Sequence, residues 1–325
     1  MSRNPEAIAQ AIQRAQSVAV CSHINPDGDT IGSALAMRLA LKDLGKRVEV
    51  FCEDKVPDIM MMLPGADQFR HPAECEESFD LFLAVDCSSP DRLGSGEQLM
   101  RRCAHNAQID HHPTNLLYAE TNSVEGDAPA ACILIRDQLR TLGVPLNREI
   151  AMCLYTGIST DTGNFAFRAT NAETFDIMGE LMRAGLPLTD LCRVLFRERR
   201  REQVLLLGRA LTHLQFRGDG RIAVMTLTRR DFTECGAMEE HADTLVNFGM
   251  ETNGTDMAMM ARETGTDEIK FSFRARAPYR VDELARRLGG GGHALASGAS
   301  ITGNLMEETE RVLAEMTKEL EAQTK

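Results

Sequence analysis

The sequence predicts an α/β protein with two domains: a mostly parallel sheet with flanking helices in the N-terminal part, then a smaller α/β domain. Apolar runs of strand length alternate with helical patterns, which is typical of parallel sheets. The 325 residues exceed the roughly 250 to 300 at which single cores stop growing. A charge run at residues 197–202 marks a connection. We therefore predict domains at residues 1–188 and 209–325, joined by a helical linker at residues 189–208.

Hydrophobic patterning places the N-terminal elements in order. Short runs rich in Val, Ile, Leu and Phe predict strands at residues 17–21, 47–52, 80–85 and 107–109. A helix with two apolar stripes is predicted over residues 30–44, ended by Gly45. Helical patterns follow at residues 127–142, 147–156 and 172–184. The strand ends are expected to meet at one edge of the sheet, where such sheets bind ligands.

The pattern changes in the second half of the chain. Residues 188–214 form one helical pattern, whose charge run predicts a solvated helix surface with intrahelical ion pairs. Strand-like runs follow at residues 222–227, 258–261 and 269–274, then a helix at residues 281–288. Four glycines and His293 come next, in a stretch that lacks the composition of a flexible linker.

Composition excludes several classes of protein. With 43% hydrophobic and 26% charged residues, and no apolar run near the ~20 residues of a membrane span, no membrane association is expected. The first residues do not resemble a secretory signal, and nine cysteines without a C-x-x-C pair are interpreted as reduced thiols of a cytoplasmic protein. A net charge of -12 argues against binding to long duplex nucleic acid. The same net charge is compatible with a small anionic substrate. The sequence does not decide between a monomer and a homodimer.

Acidic and imidazole side chains recur where the predicted strands end. The set comprises His23, Asp27, Asp29, Asp86, Asp110, His111, His112 and, after a helical pattern, Asp161. Each alone is ordinary, since Asp after a strand often only caps a helix. Asp86 differs because it follows five apolar residues. Its buried charge needs compensation, which a cation shared with the neighbouring groups would provide.

The types of ligand indicate which cation the predicted site would bind. Imidazole and carboxylate without thiolate favour Mn²⁺, with Mg²⁺, Co²⁺ or Fe²⁺ as alternatives and zinc less favoured. An EF-hand calcium loop starting at Asp27 is excluded, because Ile31 and Arg38 would occupy two of its ligand positions. The ligands exceed the needs of one ion, so two ions bridged by Asp86 are expected, as in displacement at phosphorus. Gly28 is expected to let Asp27 and Asp29 turn toward neighbouring ions.

The C-terminal part offers an anion site. Backbone N–H groups of a turn at Gly290, Gly291 and Gly292 are expected to bind an anion, with His293 as a further donor. Arg274, on the strand-like run FSFRAR, would contact a phosphate.

Taken together, these motifs resemble the DHH phosphoesterase superfamily. The four N-terminal motifs are SHINPDGDTIGS at residues 22–33, AVD at 84–86, IDHH at 109–112 and TGISTDTGNF at 156–165. FSFRAR at residues 271–276 and GGGGHALASG at 289–298 resemble the DHH-associated C-terminal domain. The resemblance spans nearly the whole chain. Within the superfamily the chain is similar to the bacterial branch of nano-RNases and 3′-phosphoadenosine 5′-phosphate (pAp) phosphatases.

The resemblance implies two metal sites. His23, Asp27 and Asp86 would hold one Mn²⁺. Asp29, Asp86, His111 and Asp161 would hold the other. Mg²⁺ or Co²⁺ would be alternatives to Mn²⁺.

The resemblance also implies catalytic and substrate-binding roles. Asp86 is counted among the catalytic residues, Asp110 would orient a ligand, and His112 would contact the scissile phosphate. Arg274, His293 and the glycines would bind the distal phosphate or terminal nucleotide, across a cleft between the two domains. Ala275 is a departure, because the family often has Ser there.

The implied activity is Mn²⁺-dependent hydrolysis of very short oligonucleotides to 5′-mononucleotides, together with phosphatase action on pAp. The alternative is a phosphodiesterase for cyclic or linear dinucleotides, c-di-AMP or pApA, which uses the same residues. RecJ-type exonucleases carry further domains, and family II pyrophosphatases have a different C-terminal domain. A polyphosphatase is disfavoured because no extended basic channel is apparent. Outside enzymes, the alternative is a nucleotide-binding module that has lost activity, against which the intact ligand set counts.

Overall fold

The structure is a computed structural model that describes residues 3–324, and these residues divide into two compact units between Glu198 and Arg199. Among the same residues, no helix is long and apolar enough to cross a membrane. The exact domain and linker limits given above stay a prediction.

In the described part of the first unit, six strands form one parallel sheet. They are β1 (Ser17–Cys21), β2 (Arg47–Phe51), β3 (Phe69–Arg70), β4 (Leu81–Val85), β5 (His105–Asp110) and β6 (Thr121–Val124). Their order is β3-β2-β1-β4-β5-β6, with every neighbouring pair parallel. The predicted parallel α/β architecture is confirmed. The strand order reverses between β1 and β4, the position at which doubly wound sheets bind ligands.

Helices cover both faces of this sheet. They are α1 (Pro5–Arg14), α2 (Gly28–Asp43), α3 (Gly96–Arg102), α4 (Ala131–Thr141), α5 (Arg148–Asp161), α6 (Ala172–Arg183) and α7 (Leu188–Cys192). The larger core lies under α1, α2, α4 and α5 and includes the strand residues Val20 and Leu83. On the opposite face Leu99 of α3 packs with Phe51 and Phe82. The sheet is therefore buried on both sides, which explains its nearly continuous apolar strands.

Helices α2 and α5 approach each other at backbone distance. A Cβ on Gly28 would lie 2.3 Å from Thr160 Oγ1, and one on Gly32 would lie 2.4 Å from the Cys153 carbonyl oxygen. On the other helix, a Cβ on Gly157 would lie 2.5 Å from Asp29 Oδ1. The need for glycine at position 28 therefore comes from this helix contact, which corrects the expectation that Gly28 serves to turn two carboxylates.

Gly157→Ala is expected to destabilise the protein by about 1–3 kcal/mol, the usual cost of overpacking a close-packed site. The added methyl group would meet both Asp29 Oδ1 and Cys132 Sγ, the latter at 2.3 Å. Urea unfolding measures the change. Gly208→Ala in the second unit is the matched control, because its Cβ would have no neighbour within 4 Å and the exchange should stabilise by about 0.4–1 kcal/mol. Equal effects of the two substitutions would contradict the proposed helix contact.

In the described part of the second unit, six strands form a mixed sheet. They are β7 (Gln215–Arg217), β8 (Ile222–Leu227), β9 (Met257–Glu263), β10 (Glu268–Ala275), β11 (Gly291–His293) and β12 (Ala296–Thr302). Their order is β11-β12-β10-β9-β8-β7, with β8 and β9 parallel and the other pairs antiparallel. The helices are α8 (Arg201–Thr212), α9 (Arg229–Cys235), α10 (Val246–Met250), α11 (Asp282–Arg287) and α12 (Leu305–Thr324). α11 and α12 cover one face of this sheet and α8 to α10 the other.

The charge run at residues 197–202 does not lie within one helix, so that prediction was wrong. After α7 the chain forms a π-helical turn, Arg193–Arg197, and Glu198 and Arg200 are extended before α8 begins. In a continuous helix Arg197 would face Arg200 and Arg201 at spacings of three and four residues, where like charges repel. Glu198 instead pairs with Arg193 across the break.

Candidate functional site

The predicted acidic and imidazole residues of the first unit converge at the carboxyl edge of the sheet. Three groups of side chains each offer potential ligand atoms within 4.8 Å of one another. The groups are His23, Asp27 and Asp86; Asp86, His111 and His112; and Asp29, His111 and Asp161. Asp86 and His111 each belong to two groups, so the three form one continuous cluster. Asp110, the remaining predicted residue, contacts His112.

His23 is oriented by its own backbone. Its Nδ1 lies 2.8 Å from the carbonyl oxygen of Ile24. Its Nε2 lies 3.5 Å from Asp86 Oδ2 and 3.7 Å from Asp27 Oδ2. Donation from Nδ1–H to the carbonyl directs Nε2 toward the carboxylates, where it would bind a cation after losing its proton, which is the usual arrangement of a metal-binding imidazole.

His111 repeats this arrangement. Its Nδ1 lies 2.9 Å from the carbonyl oxygen of Ala128. Its Nε2 lies 3.3 Å from Asp86 Oδ1, 3.3 Å from Asp161 Oδ2 and 3.7 Å from Asp29 Oδ2. Both imidazoles therefore direct Nε2 toward Asp86, at the switch point between β1 and β4.

Asp27 and Asp29 have roles in the fold as well as in the cluster. Asp27 Oδ1 accepts hydrogen bonds from the N–H groups of Asp29 and Thr30 and so caps α2, while its Oδ2 faces His23. The carboxylate of Asp29 accepts from the first two N–H groups of α4, those of Ala131 and Cys132. The partial positive charge of the helix N-terminus favours the charged form of this carboxylate, although burial and the neighbouring charge of Asp86 raise the pKa of Asp29.

Asp86 is the central carboxylate. It is 1% exposed and adopts a left-handed backbone conformation with φ of 54°. Among the described residues, its Oδ1 has no hydrogen-bond partner, although His111 Nε2 lies 3.3 Å away. A buried carboxylate oxygen without a hydrogen bond is costly. The donor set of this cluster fits a divalent cation, which would satisfy that oxygen.

The charges in the cluster shift one another's pKa values. Burial alone would lower the pKa of His23, but Asp27 and Asp86 raise it to about 10. Burial likewise opposes protonation of His111, yet Asp86 and Asp29 raise its pKa to about 11. Burial, together with nearby carboxylates, raises the pKa of Asp161 to about 6. Without a cation the carboxylates therefore hold protons on the imidazoles, and a divalent cation would compete for the same groups.

Asn115, which was not predicted from the sequence as a site residue, supports His112. Asp110 Oδ1 lies 2.8 Å from His112 Nδ1, and the other oxygen accepts from Asn115 Nδ2 at 2.6 Å. Asn115 also exchanges hydrogen bonds with Gln108. Burial would raise the pKa of Asp110, but His112 and Asn115 lower it, and Asp110 in turn raises the pKa of His112. The result is a hydrogen-bonded chain that fixes the His112 ring. The sequence signal that could have identified Asn115 is its position three residues after His112.

Arg92 was also missed. Its guanidinium lies 3.1 Å from His23 Nδ1, and its carbonyl oxygen accepts from the N–H of Ile24 at 2.8 Å. Arg92 therefore places a positive charge beside an otherwise acidic cluster. It follows Asp86 by six residues and lies in a 3₁₀-helical turn, Pro90–Leu93; this short distance in sequence from Asp86 is the signal that could have identified it.

In the second unit, Arg274 and His293 occupy one row of the sheet. Arg274 of β10 is paired with Ala296 of β12, which in turn is paired with His293 of β11. Residues opposite each other on neighbouring strands project to the same face, and two strand spacings separate these side chains by about 10 Å. The predicted substrate-binding pair therefore shares one face of the sheet.

Two of the four glycines, Gly291 and Gly292, belong to an edge strand and not to an open turn, which corrects the expected local structure there, while Gly289 stays in the turn after α11. Gly291, Gly292 and His293 pair antiparallel with β12. Gly292 has φ of 137°, and a Cβ there would lie 2.6 Å from Ser297 Cα; one on Gly290 would lie 2.0 Å from the Gly298 carbonyl oxygen. The glycines thus allow close strand pairing. An edge strand still leaves one row of backbone groups without a strand partner.

The fold and the clusters define a two-unit α/β protein with a candidate divalent-cation centre on one unit and an Arg–His row on the other. Residues 17–158 match the family described as "DHH family, N-terminal domain", and residues 219–324 match the "DHHA1 domain". The chain is 32% identical over 303 residues to the "Bifunctional oligoribonuclease and PAP phosphatase NrnA" of Thermus thermophilus, covering 93% of this chain and 89% of that protein. The chain belongs to the DHH family.

Solved structures share the fold. An "exopolyphosphatase-related protein" from Bacteroides fragilis superposes with a TM-score of 0.89 at 24% identity, covering 97% of this chain and 95% of that one. RecJ from Thermus thermophilus, crystallised in complex with Mn²⁺, superposes with a TM-score of 0.57 at 15% identity, covering 97% of this chain and 54% of that one. The predicted family and fold class are confirmed.

Proposed function

We propose that this protein is a phosphoester hydrolase that cleaves very short oligonucleotides to 5′-mononucleotides and also removes phosphate from pAp. The observation that carries the proposal is the continuous cluster of imidazoles and carboxylates centred on the buried Asp86. The activities in the name of the Thermus thermophilus relative, oligoribonuclease and PAP phosphatase, support this substrate class.

Two Mn²⁺ ions are the proposed cofactors, with Mg²⁺ or Co²⁺ as alternatives. His23, Asp27 and Asp86 would hold one ion, and Asp29, Asp86, His111 and Asp161 the other. Oxygen and imidazole ligands without thiolate suit Mn²⁺, and the RecJ structure that shares this fold is a complex with Mn²⁺. When bound, such cations supply Lewis-acid stabilisation of phosphoryl oxygens and make water a stronger acid.

The residues of the chain would hold and polarise the substrate. Asp110 engages His112 Nδ1, so Nε2 is left to donate to a phosphoryl oxygen whose negative charge grows in the transition state. Arg274, His293 and the glycine strand would bind the distal phosphate or terminal nucleotide. A phosphodiesterase acting on c-di-AMP or pApA would use the same residues, so the choice between these substrates is left to the assay.

One assay tests the proposal. Purified protein with Mn²⁺ is incubated in parallel with pApA, a 20-mer, pAp, c-di-AMP and pyrophosphate. Rapid hydrolysis of pApA and slower hydrolysis of the 20-mer are expected. Faster turnover of c-di-AMP than of pApA would favour the cyclic dinucleotide phosphodiesterase instead. Turnover of pyrophosphate alone, or of no substrate, would refute the proposed function.

Asn115→Ala is expected to lower kcat for pApA by about tenfold or more, the usual cost of removing a group that orients a ligand or catalytic imidazole. The variant deprives Asp110 of the amide that holds its second oxygen, so His112 loses its fixed orientation. Steady-state kinetics gives kcat and KM separately, and circular dichroism monitors folding. A kcat within twofold of the wild-type value in folded protein would rule out this role.

A further inference from the structure

Arg274 is held by a neutral partner. Its Nε lies 3.1 Å from Asn247 Oδ1, and one terminal nitrogen, NH1, donates to the Phe273 carbonyl oxygen at 2.9 Å. Among the described residues, no carboxylate lies within ion-pair distance of this guanidinium. Asp243, the acidic residue whose charge acts on Arg274, pairs instead with Arg262 at 2.6 Å. For the second terminal nitrogen of Arg274, the part of the chain that the structure describes offers no hydrogen-bond acceptor.

Burial makes this arrangement unusual. Arg274 is half-buried, and the loss of hydration lowers the pKa of its guanidinium. A partly buried cation is normally paired with an acid. An amide acceptor fixes the direction of the guanidinium without neutralising its charge, because Asn is uncharged and accepts through one oxygen. The unpaired charge and free N–H groups are suited to an anion, and a guanidinium fork matches phosphate geometry.

Helix α10 holds Asn247 in place. Gly249, two residues further along, lies so close to the sheet that a Cβ there would be 2.9 Å from Ala223 Cβ and 3.3 Å from Ala258 Cβ. The carbonyl oxygen of Met250 accepts from the Arg276 guanidinium at 3.0 Å. One short helix therefore contacts both Arg274 of β10 and Arg276, the residue that follows the strand.

We infer that Asn247 is a positioning residue that aims the Arg274 guanidinium at a phosphate of the bound nucleotide while leaving its charge uncompensated. The inference rests on the proposed function, because that function assigns a nucleotide phosphate to Arg274. Asn247 itself need not touch the substrate.

Two variants at this position separate orientation from charge. Asn247→Ala removes the acceptor, and Asn247→Asp keeps an acceptor oxygen but adds a competing anion. Calorimetric titration with AMP, and with adenosine as the phosphate-free probe, measures Kd for each protein. Asn247→Ala is expected to raise Kd for AMP about fivefold, since a hydrogen bond contributes about 0.5–1.5 kcal/mol net. Asn247→Asp should raise it at least as much, although the fold is retained. Kd for adenosine should change less than about twofold, which is the size of effect that an ordinary surface substitution produces.

The two substitutions at position 247 are also made in a protein that carries Arg274→Ala, which tests whether Asn247 acts through Arg274. If Asn247 acts through Arg274, neither substitution at position 247 changes Kd for AMP further once Arg274 is removed, because coupled residues are not additive. Asn253→Ala is the matched control, since Asn253 is exposed and shows no side-chain hydrogen bond among the described residues. It should leave Kd unchanged.

The inference would be overturned by additive effects in the Arg274→Ala background, by equal effects on AMP and adenosine, or by tight AMP binding by Asn247→Asp. Failure of the wild-type protein to bind AMP would overturn it as well. Hydrolysis of pApA by the wild-type protein is measured separately. AMP binding that depends on Asn247, without any hydrolysis, would refute the proposed function and support the inference.

Discussion

Asp86→Asn is expected to reduce the rate of pApA hydrolysis by more than about 100-fold. Even residues that only hydrogen-bond to metal ligands typically contribute 10- to 100-fold to metal affinity or activity. Asp86 contacts both inward-facing imidazoles, through Oδ2 to His23 and Oδ1 to His111. The amide retains the size of the side chain but loses the negative charge that two cations would share. Asn also tolerates the left-handed backbone found at this position, so the protein should fold.

Two measurements separate loss of the site from loss of the fold. Thermal unfolding followed by circular dichroism should show a folded variant, and calorimetric titration with Mn²⁺ should show weakened binding. Asp43→Asn is the matched control, because Asp43 is exposed at the other end of α2. It should retain wild-type activity. Wild-type rates in Asp86→Asn would refute the two-cation proposal.

Arg274→Ala is expected to lower kcat/KM for pApA by about 10- to 150-fold, since hydrogen bonds to charged groups contribute about 1.5–3 kcal/mol. The loss should appear mainly in KM, because Arg274 is proposed to bind a distal phosphate and not the reacting one. Arg274→Lys should recover only part of it, since an ammonium group lacks the planar fork. Steady-state kinetics on pApA, and on ApA without the terminal phosphate, measures both effects.

The control for Arg274 lies on the same strand. Lys270 is exposed and four residues away, so its side chain projects to the same face of β10. Lys270→Ala removes a positive charge from that face without removing the proposed contact. An equal rise in KM for Lys270→Ala would indicate a general electrostatic effect and would contradict a specific role of Arg274.

The central elements of both units could be predicted because their signals are local. Five consecutive apolar residues directly precede Asp86, and these residues form β4. Strand β6, with the polar sequence TNSV, and the two-residue β3 were missed. Both lie at the edges of the parallel sheet, where burial does not demand an apolar pattern. The positions of the acidic and imidazole residues followed from the parallel sheet, which brings strand ends together.

The supporting residues could not be predicted from patterns along the chain. Asn247 and Arg274 are 27 residues apart, and only the packing of α10 on the sheet brings them into contact. The glycine run was interpreted as a turn because its pairing with β12 depends on the close approach of Gly290 and Gly292 to that strand. Neither the contact between Asn247 and Arg274 nor the pairing of the glycines with β12 can be predicted from a single sequence.

The two oxygens of Asp27 connect ligand occupancy to local folding. One oxygen caps α2 and the other faces His23 across the cluster. A cation held at the second oxygen would restrain the carboxylate and therefore the capped N–H groups of Asp29 and Thr30. Slower hydrogen–deuterium exchange in the first turn of α2 should then report occupancy of the site, even for a substrate-free protein. The same coupling means that Asp27→Ala would confound helix stability with ligand loss. Asp27→Asn keeps a capping oxygen, while it removes the charge and replaces the second oxygen with an NH2 group.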